Sequence, residues 1–224
     1  MKKITLLVLL AQLCWNCYGQ YDRISIKFCP LAAIDVVGFP TIQAGVEIKF
    51  SDRITWYNEL GIKYASSYIN QTDTSFINAS GFKIKSEVRY YFQRRHKTTF
   101  NGFYLAANAF FTQDHHNTQI SYYHLSDTTT QTDVFGVKKI VFGGNALFGY
   151  QQTVYKRFMI DVYAGLGLRY RHINTINKQY DKNADAIISG IDFNVPYYVR
   201  SIDADGGSSF VPSITAGFRI CYAF

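Results

Sequence analysis

The chain has 224 residues, a formal net charge of +7 and a mean hydropathy of −0.07, with 17% of its residues aromatic. No stretch beyond residue 20 approaches the roughly 18 consecutive apolar residues of a membrane-spanning helix, which excludes a helical anchor there. The basic residues are spread along the chain rather than gathered on one helix or groove, which argues against a nucleic-acid partner.

The first segment reads as an export signal. Lys2 and Lys3 precede an apolar run at residues 4–13, and the small residues Cys17 and Gly19 follow. A charged region, a short apolar region and a cleavage site make residues 1–19 a secretory signal removed before Gln20. Residues 20–224 are then one exported domain. Its two remaining cysteines, Cys29 and Cys221, are permitted to form a disulfide in that compartment.

Eight alternating segments follow. Successive strand side chains point to opposite faces, so each such segment has one apolar and one mixed face. Residues 24–33 set Ile24, Ile26 and Phe28 against Ser25, Lys27 and Cys29. Residues 41–50 oppose Ile42, Ala44, Val46, Ile48 and Phe50 to Gln43, Gly45, Glu47 and Lys49. In residues 54–64, Trp56, Leu60 and Ile62 face away from Tyr57, Glu59 and Lys63, with Asn58 out of pattern on the apolar face. Residues 81–92 set Phe82, Ile84, Val88, Tyr90 and Phe92 against Lys83, Lys85, Glu87 and Arg89. Residues 102–112 carry Phe103, Leu105, Ala107, Ala109 and Phe111 on one face. The sixth and seventh segments are 139–151 and 158–171, the latter opposing Val162, Leu166 and Leu168 to Asp161, Tyr163 and Arg169. The last is 210–224.

The connections define the architecture. Tight turns lie near residues 51–53, 93–101 and 152–157; polar loops are expected at 65–80, 113–138 and 172–209. After the first link, long and short alternate, which is the asymmetry of an outer-membrane barrel. Strands of about 10 to 13 residues span its apolar band when tilted. Phe50, Trp56, Phe92, Phe103, Tyr150, Phe158 and Phe224 sit at turn ends, and Tyr64, Phe82, Phe111 and Tyr170 at loop ends, as two aromatic girdles. A secreted β-sandwich alternates too, but it leaves the one-sided loop lengths unexplained. The expected fold is all-β, an eight-stranded antiparallel up-and-down transmembrane β-barrel.

The last strand places Phe218, Ile220, Tyr222 and Phe224 on one face and ends on the aromatic. That ending resembles the C-terminal strand signature read by the assembly machinery of bacterial outer membranes. E-V-R-Y-Y-F at 87–92, G-F-Y-L-A-A at 102–107, F-G-Y-Q at 148–151 and D-V-Y-A-G-L-G-L-R-Y at 161–170 together resemble a family of small, uncharacterised outer-membrane barrels of Gram-negative bacteria. The plan is similar to the OmpA transmembrane domain. The resemblance implies the fold and the outer membrane as location, with little about chemistry.

Sorted by position, charge points inward and to the ends. Lys27, Glu47, Glu59, Glu87, Arg89, Asp161 and Arg219 fall on the face opposite the apolar one at similar heights. A charge on the lipid face costs about 2–4 kcal/mol at the midplane, so these seven are expected to form a paired layer that plugs the lumen. Tyr57, Tyr91, Tyr104 and Tyr163 add bulk to that face. Cys29 and Cys221 share the inward parity on the first and last strands, where a disulfide could staple the closure. Pro30 and Pro212 on the same strands predict irregular pairing nearby.

Candidate chemistry is thin. Asp114, His115, His116 and His124 are a possible zinc set without a fixing element. Asp203, Asp205, Gly206 and Gly207 resemble half a calcium loop with its glycine too early. His124, Ser126, Asp127 and His172 contain the groups of a hydrolytic triad but no nucleophile motif. The turns are basic (Arg53, Arg94, Arg95, Lys97, Lys156, Arg157), and the loops lean acidic, with Asp73, Asp127, Asp133, Asp181, Asp185 and Asp192 among them. Solvated loop tips explain the acids. The expectation is a non-enzymatic surface or structural protein without cofactor or metal. Its partners are outer-membrane lipids, the assembly machinery through the last strand, and a protein or surface ligand at the outward loops. A narrow channel and a lipid-modifying enzyme are the alternatives.

Overall fold

The computed structural model describes residues 23–33, 41–63, 77–92, 100–126, 129–187 and 206–224. The expected export signal and residues 188–205 of the longest expected loop lie outside these. The described residues form β1 (Ile24–Phe28), β2 (Thr41–Lys49), β3 (Ile54–Lys63), β4 (Ile77–Tyr91), β5 (Gly102–His124), β6 (Thr130–Tyr155), β7 (Phe158–Ile176), β8 (Asp185–Ile187) and β9 (Gly207–Ala223), with one 3₁₀ turn at Pro30–Ala33. Each of β1 to β6 pairs antiparallel with the next, β7 pairs with β9, and β9 returns to β1, so eight strands form a ring. β8 lies outside it, against the far part of β5.

The period-two pattern explains the ring. Along β2, residues 41–46 alternate strictly between buried and exposed. Outward apolar side chains are bare, with Ile62 69%, Leu166 66% and Ile214 82% exposed. Inward Lys27, Glu47, Arg89, Asp161 and Arg219 are fully buried. This inverts the usual arrangement of apolar side chains inside and charged ones outside, and charges so fully buried need partners.

Three inward tyrosines lie across glycines of the adjoining strand. A Cβ at Gly45 would come within 2.7 Å of the Tyr57 ring, and one at Gly217 within 2.6 Å of the Tyr163 hydroxyl; Gly149 lies in the same way under Tyr104. Only glycine lets a ring lie flat on the wall and aim its hydroxyl at the centre.

The structure corrects several expected boundaries. β1 stops at Phe28, because Pro30 has no N–H to give and opens the 3₁₀ turn instead. Around Pro212 the pairing is regular, with Leu168 opposite it. β1 reaches only residues 220–223 of β9, so the β1-facing edge at Pro212 has no ladder to break. Residues 113–138, expected as a loop, are mostly strand: β5 and β6 stay in register from Gly102↔Gln151 to Tyr123↔Thr130. β7 follows them as far as Gly136↔Ile176. The ring thus has a turn end and an extended end, where a three-stranded arm stands beyond the other strands.

Candidate functional site

Four levels can be distinguished along the ring's interior. The waist holds the seven charged residues read from the sequence, and the structure brings all seven together. Asp161 on β7 is the hub: its carboxylate accepts from Lys27 at 2.9 Å, Arg89 at 2.9 Å, Arg219 at 3.2 Å and the Tyr104 hydroxyl at 2.7 Å. Lys27 also meets Glu47 at 2.7 Å. Arg89 meets Glu87 at 2.7 Å, and Arg219 reaches Glu87 at 3.2 Å and Glu59 at 3.4 Å. Lys85, one pleat further, meets Glu59 at 2.8 Å.

Aromatic faces sheathe the two guanidinium groups. Arg89 lies 4.9 Å from the Tyr57 centroid and 4.6 Å from that of Tyr104; Arg219 lies 4.6 Å from Tyr57 and 3.8 Å from Tyr163. These contacts add cation–π attraction in a place closed to water.

Below the waist, at the turn end, Phe100 folds under the ring and packs with Met159, Cys221 and Ala223, all nearly inaccessible. Sequence reasoning missed this stopper because residues 93–101 read only as a basic turn. The nearest signal was an aromatic just before Gly102, whose φ of 120° turns the chain into β5.

The cysteines are not bridged. Cys221 stands opposite Lys27, so Cys29 is its diagonal neighbour across the seam, and both are free, buried thiols. Diagonal side chains on paired strands lie about 7–8 Å apart, whereas a disulfide needs Cβ atoms within about 4.5 Å. Mass spectrometry after alkylation of the unfolded protein is therefore expected to find label on both Cys29 and Cys221. A mass two hydrogens lighter, with no label, would restore the staple. Outward from this seam, Ile220 and Phe224 are exposed on one wall with Phe218 and Tyr222. Tyr222 makes edge contacts with Phe158 and Phe224, both at 5.1 Å between centroids.

Above the waist the wall thins to Gly143, Gly165, Gly167, Ser213 and Thr215, and the inward positions are no longer fully closed. Near the mouth Lys63 meets Asp114 at 2.5 Å.

The arm carries a second small core of Ile120, Tyr122, Phe135, Val137 and Ile173, covered by Tyr180. The Asp133 carboxylate accepts from the backbone N–H of Gln179 at 2.7 Å and of Tyr180 at 3.0 Å. His124 pairs through Nδ1 with Asp185 of β8. Burial, and then the neighbouring Asp185 carboxylate, pushes the Tyr122 phenol above its ordinary range. Asp114, Asp133 and Asp185 are thus buried structural acids, not the solvated loop tips expected.

The proposed chemistry does not assemble. Asp114 and His116 point inward while His115 points out, and His124 is tied to β8. Among the described residues no group of three such side chains could hold a metal ion. Asp185 orients His124, and His172 lies 2.7 Å from the Ser208 hydroxyl. Asp127, Asp203 and Asp205 lie outside the described residues. Gly206 and Gly207 have φ of 65° and 87° and form the bend into β9.

Fold and interior together define the class: an all-β protein whose antiparallel ring of eight strands is filled at the waist by paired charges. The chain belongs to the family described as Protein of unknown function (DUF3575), whose sequence model matches residues 5–188. No curated protein and no solved structure matches it.

Proposed function

We propose that the chain is an eight-stranded transmembrane β-barrel of a Gram-negative outer membrane, acting without catalysis as a surface-interaction protein through its extended end. The observation that carries the reading is the inverted ring. Apolar side chains such as Ile62, Leu166 and Ile214 are bare outside, while Lys27, Arg89, Asp161 and Arg219 are sealed inside. In water that outer wall would be a patch far larger than soluble monomers carry. In a bilayer it is the required surface, and a closed ring satisfies the backbone groups that lipid cannot. The basic turns would face the periplasm and the arm would face outward, with lipids around the wall. The outward aromatics Phe218, Tyr222 and Phe224 would be offered to the assembly machinery.

The filled waist supports a reading without transport. Eight strands leave an interior about wide enough for side chains alone. Here Arg89, Arg219 and four carboxylates occupy it, with Phe100 beneath. The purified protein in a planar bilayer is expected to show no steady conductance. Large, steady conductance would replace this reading with the channel alternative. Capture of a ligand by the intact protein, lost when residues 113–138 and 172–187 are trimmed, would place the interaction at the extended end.

A further inference from the structure

We propose that the interior above the waist is an outward-opening well that binds one uncharged sugar ring, held between Asn145 and Arg169. The argument starts from a row of residues at one height on four adjoining strands. Asn108 of β5 stands opposite Asn145 of β6, Asn145 opposite Gly167 of β7, and Gly167 opposite Ser213 of β9. All four share the inward parity of Asp161 and Arg219 on their ladders. One pleat further out, Phe110, Gly143 and Arg169 stand in the same relation.

Asn145 carries the inference. It is 8% exposed, and its Nδ2 donates to Asn108 Oδ1 at 3.0 Å. Its own Oδ1 is buried with no hydrogen-bond partner. That oxygen is aimed at the space over Gly167, where a Cβ would come within 2.6 Å of it. A buried amide oxygen left without a donor costs free energy, and native interiors keep few of them. Turning both amides over would put an N–H in its place and still leave one polar atom facing the gap. A hydroxyl satisfies either arrangement, because it both donates and accepts.

The space is reachable. Inward Gly143, Gly165 and Gly167 are partly exposed, whereas inward Gly45, Gly61 and Gly149 are buried. Eight strands enclose room for side chains or for one small ligand, and three inward positions without side chains leave that room to a ligand. Arg169 is exposed although it points into the ring, and among the described residues it makes no ion pair. Its guanidinium supplies several N–H donors in a fixed plane. Phe110, on the other side of Gly143, adds an aromatic side chain at the same height. A sugar has hydroxyls around its edge and an apolar C–H face, so it is matched by a few planar polar groups beside an aromatic one. The Asn145 row is neutral throughout, so its unmet contact asks for a hydroxyl rather than an ion.

The proposal rests on the barrel reading for which way the well opens, but not for the binding itself. The test uses the full mature protein in a detergent without a sugar headgroup, with saturation-transfer NMR as the readout. The probes are the methyl glycosides of glucose, galactose, mannose and N-acetylglucosamine. Saturable transfer to at least one of them is expected at millimolar concentration, unchanged when about 0.5 M sodium chloride screens charge. Asn145→Leu and Arg169→Met should each weaken binding about fivefold or more, the loss of one hydrogen bond, while Arg53→Met at the turn end leaves it unchanged. Should Asn145→Leu fail to fold by circular dichroism, Ser213→Ala on the same row serves in its place, again with weakened binding expected. No transfer to any glycoside, or equal transfer in the well and turn-end variants, overturns the proposal. Binding confined to methyl glucuronide and abolished by salt overturns it too, as an adventitious ion only on Arg169. Repeating the measurement in phospholipid nanodiscs, with a glycolipid carrying the bound sugar, identifies the source. Loss of the free-glycoside signal assigns the well to a lipid-borne sugar, and its persistence to a free one. Flotation with vesicles, measured separately, tests the membrane reading, so either idea can fall without the other.

Discussion

Asp161→Asn is expected to destabilise the protein more than any other single neutralisation in the chain, by roughly 3–5 kcal/mol, the range for breaking one partner out of a buried ionic network. The reason is connectivity. Lys27, Arg89 and Arg219 all converge on one carboxylate oxygen at 2.9, 2.9 and 3.2 Å, and none has access to water. Removing the charge leaves three carboxylates, Glu47, Glu59 and Glu87, to balance the four cations Lys27, Lys85, Arg89 and Arg219 in a closed space. Urea unfolding in detergent gives the measurement. As a control, Asp52→Asn removes a half-exposed partner of Lys49 at 3.6 Å and should change stability by less than about 1 kcal/mol. Equal effects from the two variants would mean that the waist is not a network.

Leu166→Arg separates a membrane protein from a soluble one. Leu166 is 66% exposed, one residue from the middle of β7, and faces Ile214 on β9. In water a substitution so exposed would shift stability by no more than about 0.5 kcal/mol. In a bilayer the same arginine lies near the midplane and costs about 2–4 kcal/mol. Stability should therefore fall by that amount in phospholipid vesicles. A variant as stable as the wild type in vesicles would remove the case for a lipid-facing wall.

The waist was legible before any coordinates because two facts suffice for it. Parity assigns each of Lys27, Glu47, Glu59, Glu87, Arg89, Asp161 and Arg219 to the face opposite the apolar one, and counting from the turns assigns similar heights. Register was not legible, and the cysteine pair failed on that account: an offset of two residues across β1 and β9 converts neighbours into diagonals. The arm was missed for a different reason. Strands were sought by an apolar outward stripe, and residues 113, 115, 117, 119 and 121 are Gln, His, Asn, Gln and Ser. Their inward partners Thr118, Ile120 and Tyr122 keep the period of two, but a polar outer face hides it. Asn58, out of pattern on the outer wall, stands opposite Ser86, whose hydroxyl accepts from the Trp56 indole at 2.8 Å; a polar pair lies there beside the turn-end girdle.

The paired arm bears on how quickly and how tightly anything can be held at that end. Residues 113–124 of β5 run on for about 40 Å of strand at the usual rise per residue. Their backbone is committed to the ladder with β6, and the segment that covers their inner face is pinned by Asp133 and by the His124–Asp185 pair. A loop of the same length would have to surrender its conformational freedom at the moment of contact, at roughly 1–2 kcal/mol per residue fixed. Here that freedom is already gone when folding ends, so a ligand meets a rigid surface, and its residence there is governed by complementarity rather than by ordering.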